Sequence, residues 1–99
     1  MKVYITITGT YFYHGHDFIE KGMMLRLEKE KDCKVDNESV AVLLDGIGKI
    51  GNVANSVRTV VGQSYSAGRL YDKIGDTAMA EVVYILPEAV LCTIEIETT

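Results

Sequence analysis

A chain of 99 residues with net charge −4 makes one domain with a single core and little surplus, and its acidity argues against strong nonspecific nucleic-acid binding. Apolar residues at 47% with a single Pro exclude a disordered chain. No apolar run reaches the roughly 18 residues of a membrane span, and the start lacks the basic-plus-apolar layout of a signal peptide, so the cytoplasm is the expected compartment and no membrane contact is expected.

Taken in chain order, Lys2 to Thr8 alternates strictly, with Val3, Ile5 and Ile7 on one face and Tyr4, Thr6 and Thr8 on the other. That is the period of a half-buried strand. Gly9 allows a bend before Tyr11-Phe12-Tyr13. Read as a strand end, this triplet puts Tyr11 and Tyr13 on one face and Phe12 on the other, as core or rim packing or as a stacking platform. His14-Gly15-His16-Asp17 reads as a polar turn, and Phe18 to Gly22 as a short irregular or helical piece. Met23, Leu25 and Leu27 alternate again. Glu28 to Asn37 is expected to be a charged, exposed loop, in which Asp36-Asn37 shapes the backbone through side-chain bonds.

Ser39 to Leu44 is apolar at nearly every position and reads as a central strand covered on both sides. Asp45-Gly46 is a hairpin dipeptide, expected as a type I′ turn with positive φ at both residues. Gly48 to Val53 returns as a strand. The segment Gly46-Ile47-Gly48-Lys49-Ile50-Gly51 also fits G-x-G-x-x-G. That motif binds a dinucleotide when a parallel strand runs into a helix, but here it lies between two β-like runs, and the hairpin reading is preferred.

Beyond Val53 the period changes. Asn55 can cap a helix carrying Val57, Val60 and Val61, ended by Gly62. Ser66 to Ile74 reads as a second short helix, with Ser66 as cap and Gly75 as stop. Thr77 to Leu86 and Ala89 to Glu97 are two long β runs joined at Pro87-Glu88. The expected class is mainly β: a small six-stranded, OB-like barrel with one or two short helices inserted after the fourth strand. Its expected core is Ile5, Ile7, Leu25, Leu27, Val42, Ile50, Val82, Ile94 and Ile96.

Charge is uneven along the chain. Between Gly46 and Lys73 lie Lys49, Arg58, Arg69 and Lys73 against Asp72 alone, whereas Ile74 to Thr99 holds five acids and no base. Cys33 and Cys92 have no CxxC spacing and read as a loop thiol and a core filler. His14 and His16 lack the further donors a zinc site needs. Ser64, Tyr65 and Ser66 have no His in the same half of the chain to serve as a base. These residues give no positive sign of catalysis, metal or cofactor.

Three features together resemble a HIRAN domain, of the stand-alone bacterial or phage type, over residues 1–99 as a single domain. The first is Gly9-Thr10-Tyr11-Phe12-Tyr13. The second is Gly22 followed by an alternating strand, the loop with Asp36, and Ser39-Val40-Ala41-Val42, where the family often has Ala-Ile-x-Val. The third is Lys49-Ile50-Gly51-Asn52-Val53, where the family has a Lys-Ile-Gly-aromatic-Val type of strand. The resemblance implies a barrel similar to oligonucleotide-binding folds. It also implies a non-catalytic module that recognises single-stranded DNA 3′ ends in repair or replication-fork processing, acting alone or beside a separately encoded helicase or nuclease. Tyr11 and Phe12 fall at positions that carry a basic residue and an aromatic in the DNA-binding members, and Asp36 at the acid that meets the terminal hydroxyl. Asn52 and Asn55 fall where those members tend to have His and Lys, and Tyr11 stands in place of an Arg. Lys49, Arg58 and Arg69 are then the cations left to hold phosphates. Tyr11, Asp36, Asn52 and Arg58 are expected to meet on one side of the barrel. The alternative is a protein-interaction or assembly module that keeps the barrel without the DNA site.

Overall fold

In the computed structural model, which describes residues 1–30, 39–55, 62 and 64–96, the strands are β1 (Lys2–Thr8), β2 (Met24–Lys29), β3 (Val40–Leu44), β4 (Gly48–Val53), β5 (Thr77–Ile85) and β6 (Val90–Glu95). They close into a barrel in the order β1-β4-β3-β2-β5-β6, and every neighbouring pair is antiparallel. Closure leaves no long free edge. A helix, α1 (Ala67–Tyr71), lies between β4 and β5. The mainly β barrel with its helical insert after the fourth strand is thus the fold that forms. The G-x-G-x-x-G segment is a hairpin leading into β4, with no helix at Gly48.

The interior follows from alternation. Val3, Ile5 and Ile7 meet Leu25, Leu27, Val40, Val42, Ile50, Val82, Val90, Ile94 and Ile96 in one cluster. All nine expected core residues are buried. Each such side chain withdrawn from water contributes about 1.5–3 kcal/mol. Cys92 belongs to this core as a filler, and burial pushes its thiol pKa up to about 12, which leaves it inert.

β1 and β4 are joined over a short stretch, Ile7↔Val53 and Thr8↔Asn52. Below it the chain after β4 fills the gap. Ala54 N–H donates to Thr6 O, Tyr65 N–H donates to Tyr4 O, and Ala67 N–H donates to Ala54 O. This crossing explains why Thr6, on the outward parity of β1, is fully buried, with its hydroxyl 2.7 Å from that of Ser64.

Several local expectations are corrected. Tyr11-Phe12-Tyr13 does not continue the strand. Gly9 adopts φ 73° and a 3-10 turn covers Thr10–Phe12, so strand alternation does not apply and Tyr11 and Phe12 are both exposed rather than packed. At Asp45-Gly46 the only positive φ is that of Gly46, at 89°, with Ile47 N–H donating to Leu44 O. That is the pattern of a type II turn, followed by Gly48 at φ 98°, and not type I′. Glu28 and Lys29 belong to β2 rather than to a loop, and Glu30 is half-buried, because Lys29 pairs with Val40 and Glu30 N–H donates to Ser39 O. In β3, Val40, Ala41 and Val42 are buried, but Leu43 and Leu44 keep partial exposure. α1 begins at the expected Ser66 cap, whose hydroxyl accepts from Arg69 N–H, yet it ends at Tyr71 rather than Ile74. The helix expected at Val57, Val60 and Val61, and the residues Cys33, Asp36 and Arg58, lie outside the described residues.

Candidate nucleic-acid interface

The outer surface around the end of β1 is built on one cross-strand row. Glu28 pairs with Ala41, Ala41 with Asn52, and Asn52 with Thr8. Thr8 leads into Gly9 and the aromatic turn, which packs against β4. Gly51 makes that packing close. A Cβ there would lie 2.8 Å from Thr8 O, 3.1 Å from Ile7 Cγ2 and 3.3 Å from Thr10 Cγ2. Glycine at this position seats the turn on the barrel.

The turn is held by its own bonds. Phe12 N–H donates to Gly9 O, and Tyr13 and Gly15 N–H both donate to Thr10 O. The Thr10 hydroxyl is 2.8 Å from His16 Nδ1. With the backbone held in this way, the Tyr11 and Phe12 rings project together, one leaning on the other. Their ring centroids are 4.2 Å apart at an interplanar angle of 33°, and they are 76% and 74% exposed. Two exposed rings in a tilted stack on this turn present apolar outer faces that water does not satisfy.

Beside the turn lies a polar cluster. Lys49 Nζ is 2.8 Å from Glu30 Oε2. Glu30 Oε1 accepts from the Ser39 hydroxyl at 2.7 Å and from Asn52 Nδ2 at 2.8 Å. The Asn52 amide also reaches Ser39 Oγ and Val40 O at 3.3 Å. Lys49 Nζ lies 5.4 Å from the Tyr13 ring centroid, which connects the cluster to the turn. Burial disfavours both charges. It is outweighed at Glu30 by the bonds from Lys49, Ser39 and Asn52, so the carboxyl titrates below its ordinary value. At Lys49 burial is outweighed by Glu30 and Tyr13, and the ammonium titrates above its ordinary value. Lys49 is therefore a charge already matched by a carboxylate.

The expected site residues are thus distributed. Tyr11, Phe12, Lys49 and Asn52 share this surface. Asn55 is close by in sequence, but its Oδ1 accepts from Gly68 N–H at 2.7 Å and caps α1, a different helix start from the one expected. Arg69 lies elsewhere, with its guanidinium 4.0 Å from the Tyr65 ring centroid. Asp36 and Arg58 lie outside the described residues, so the expected four-residue meeting can be followed only for Tyr11 and Asn52, which sit on the turn and on the strand it packs against. In sequence, Asp36 lies between Glu30 and Ser39, two members of the cluster. Glu30, Ser39 and Tyr13 were not foreseen as site residues. The outward parity of Arg26, Glu28 and Glu30 was the available signal for Glu30.

The HIRAN domain family model matches residues 1–98. The chain belongs to the HIRAN domain family. No curated protein and no solved structure matches it. HIRAN is in general a binding domain, and membership is consistent with a nucleic-acid-binding module. Among the described residues, no helix is long and apolar enough to cross a membrane.

Proposed function

We propose that this HIRAN domain is a non-catalytic module that binds the 3′ end of single-stranded DNA. The observation that carries the reading is the exposed Tyr11–Phe12 pair, fixed on a turn against the strand that bears Lys49 and Asn52. In this reading one or two terminal bases stack on those rings, a contact worth about 1–3 kcal/mol per base. Asp36, between Glu30 and Ser39 in sequence, accepts a hydrogen bond from the terminal hydroxyl. Lys49 and Arg58 act on phosphates at the held end and Arg69, which lies away from the turn, on a phosphate further along the strand, with Asn52 and Asn55 supplying neutral polar contacts.

Charge sets the expected strength. Lys49 has a carboxylate partner at 2.8 Å, and a phosphate would have to share it. The chain carries net charge −4, so long-range attraction is small. Affinity should be modest and steeply salt-dependent. Such a module would act in repair or fork processing beside a separately encoded helicase or nuclease in the cytoplasm, which supplies the catalysis.

The test is fluorescence anisotropy with a labelled single strand whose 3′ end is either a free hydroxyl or blocked by a phosphate. The free end should bind more tightly, and Asp36→Ala should abolish that preference while leaving salt-dependent binding. No binding of either strand at low salt would defeat the proposal. The barrel would then serve as an interaction module, for which the exposed Met24, Met79 and Ile85 are the apolar candidates.

A further inference from the structure

The end-binding reading leaves unused the tyrosine groove at the other end of β1. Tyr4, Tyr65 and Tyr84, together with Lys2 and Leu91, line a surface groove of about 430 Å³, a volume in the range of small-ligand sites, roughly 300–1,000 Å³. Its shape follows from register. Tyr4 faces outward on β1, and Thr6, Leu91 and Tyr84 form one row across β1, β6 and β5. Tyr65 is held alongside by its N–H, which donates to Tyr4 O at 2.7 Å. Tyr4 is 49% and Tyr84 51% exposed, so neither ring is there to fill a core.

Cations surround these rings. The Arg69 guanidinium lies 4.0 Å from the Tyr65 centroid, and Lys21 Nζ lies 5.6 Å from that of Tyr84. Lys2 adds a third cation. Among the described residues, no carboxylate lies within ion-pair distance of Lys2, Lys21 or Arg69. The acids on the same outer face are Glu81, in the row of Tyr4, and Glu95, in the row of Lys2. Lys49 at the turn is paired with Glu30, whereas these three cations have no carboxylate partner among the described residues. Aromatic faces beside cations that have no carboxylate partner among the described residues fit a stacked base joined to a phosphate. An apolar or proline-rich peptide would need the rings but would gain nothing from the cations.

We propose that this groove is a second single-strand subsite, taking bases on Tyr4 and Tyr84 and phosphates on Lys2, Lys21 and Arg69. It rests on the end-binding reading, because one strand serves both places. Tyr4 and Thr8 are four residues apart on one face of β1, about 13 Å, so a strand whose end is held at the turn reaches the groove within a few nucleotides. Oligonucleotide-binding barrels cover roughly 4–16 nucleotides, more than an end pocket alone occupies.

The test uses the full chain and labelled oligothymidylates of about three and about twelve nucleotides with free 3′ ends. Tyr84→Ala should weaken the long strand by about fivefold or more and leave the short one unchanged, and Tyr84→Phe, which keeps the ring, should restore wild-type affinity. Arg69→Gln should flatten the salt dependence of the long strand by about 0.7 in log–log slope, a readout that a loss of packing at Tyr84 would not mimic. Tyr11→Ala should weaken both strands. If Tyr11→Ala weakens binding while Tyr84→Ala and Arg69→Gln leave the long strand untouched, the groove is overturned and end binding stands. Tyr84→Phe behaving like Tyr84→Ala would also overturn stacking in the groove. If wild-type protein binds neither strand, both readings fall.

Discussion

The two ends of β1 solve different problems with similar residues. At the Thr8 end, aromatic rings stand on a tight turn over Gly51, and the adjacent lysine is tied to Glu30 within a network of hydrogen bonds. At the Tyr4 end, rings project from the sheet itself, and their cations lie over aromatic faces with no carboxylate partner among the described residues. The first region pairs its lysine with a carboxylate, which in the proposed reading suits recognition of a particular chemical end. The second is open and cationic, as suits a backbone passing through. A barrel wall supports both because alternation leaves every second side chain free of the core.

The comparison breaks most severely if the wall itself is lost. Ile7 is fully buried where β1 meets β4. Ile7→Ala should cost about 2–5 kcal/mol, read as a lower urea midpoint, with binding at both ends lost together. An unchanged midpoint would show that the packing is misassigned.

Gly51→Ala should act more locally. The added methyl meets backbone oxygen at 2.8 Å, and the resulting shift should cost about 1–3 kcal/mol. Because the displaced atoms belong to Thr8 and Thr10, binding of short strands should suffer more than binding that depends on Tyr84. Equal losses at both ends would blur the distinction.

Tyr11→Ala sharpens the difference between stability and recognition. The ring is 76% exposed, so stability should stay within about 0.5 kcal/mol. Affinity should fall about tenfold, the effect of losing one stacked base. A large drop in melting temperature with unchanged affinity would reverse the assignment.

The smallest effect concerns the balanced pair. Glu30 and Lys49 are 30% and 29% exposed. Glu30→Gln should therefore cost about 1–2 kcal/mol at neutral pH, between the values of surface and buried pairs. The Glu30 pKa is lowered from 4.5 in the folded state, so its contribution is present above that pH and fades as pH falls through the lower folded value. Lys49 is raised from 10.5, so its contribution holds below that pH and fades as pH rises through the higher folded value. A gap between wild type and Glu30→Gln that persists well into acid would contradict the pairing.

The sequence made the barrel legible and left much of its surface obscure, for a physical reason. Ile5, Ile7, Leu25 and Leu27 declare themselves because burial imposes a period of two over consecutive residues. Tyr11 and Phe12 mislead because a positive φ at Gly9 ends the strand and abolishes the alternation on which their expected faces rested. Asn52 is expected at a ligand position, whereas its amide is engaged by Glu30, Ser39 and Val40, partners that no local pattern joins. Arg69 was grouped with Lys49 by sequence charge, yet the crossing of the chain over β1 carries it to Tyr65. The tyrosine groove gathers Tyr4, Tyr65 and Tyr84 from three distant segments, and only barrel closure brings them together.

The most direct measurement of the central claim is an amide NMR titration of the intact chain with a short single strand bearing a free 3′ end. The account predicts that the first shifts appear at Thr10 to Tyr13 and at Lys49 to Val53. Absence of shifts at low salt, or shifts confined to the Met24 and Met79 face of β2 and β5, would contradict it.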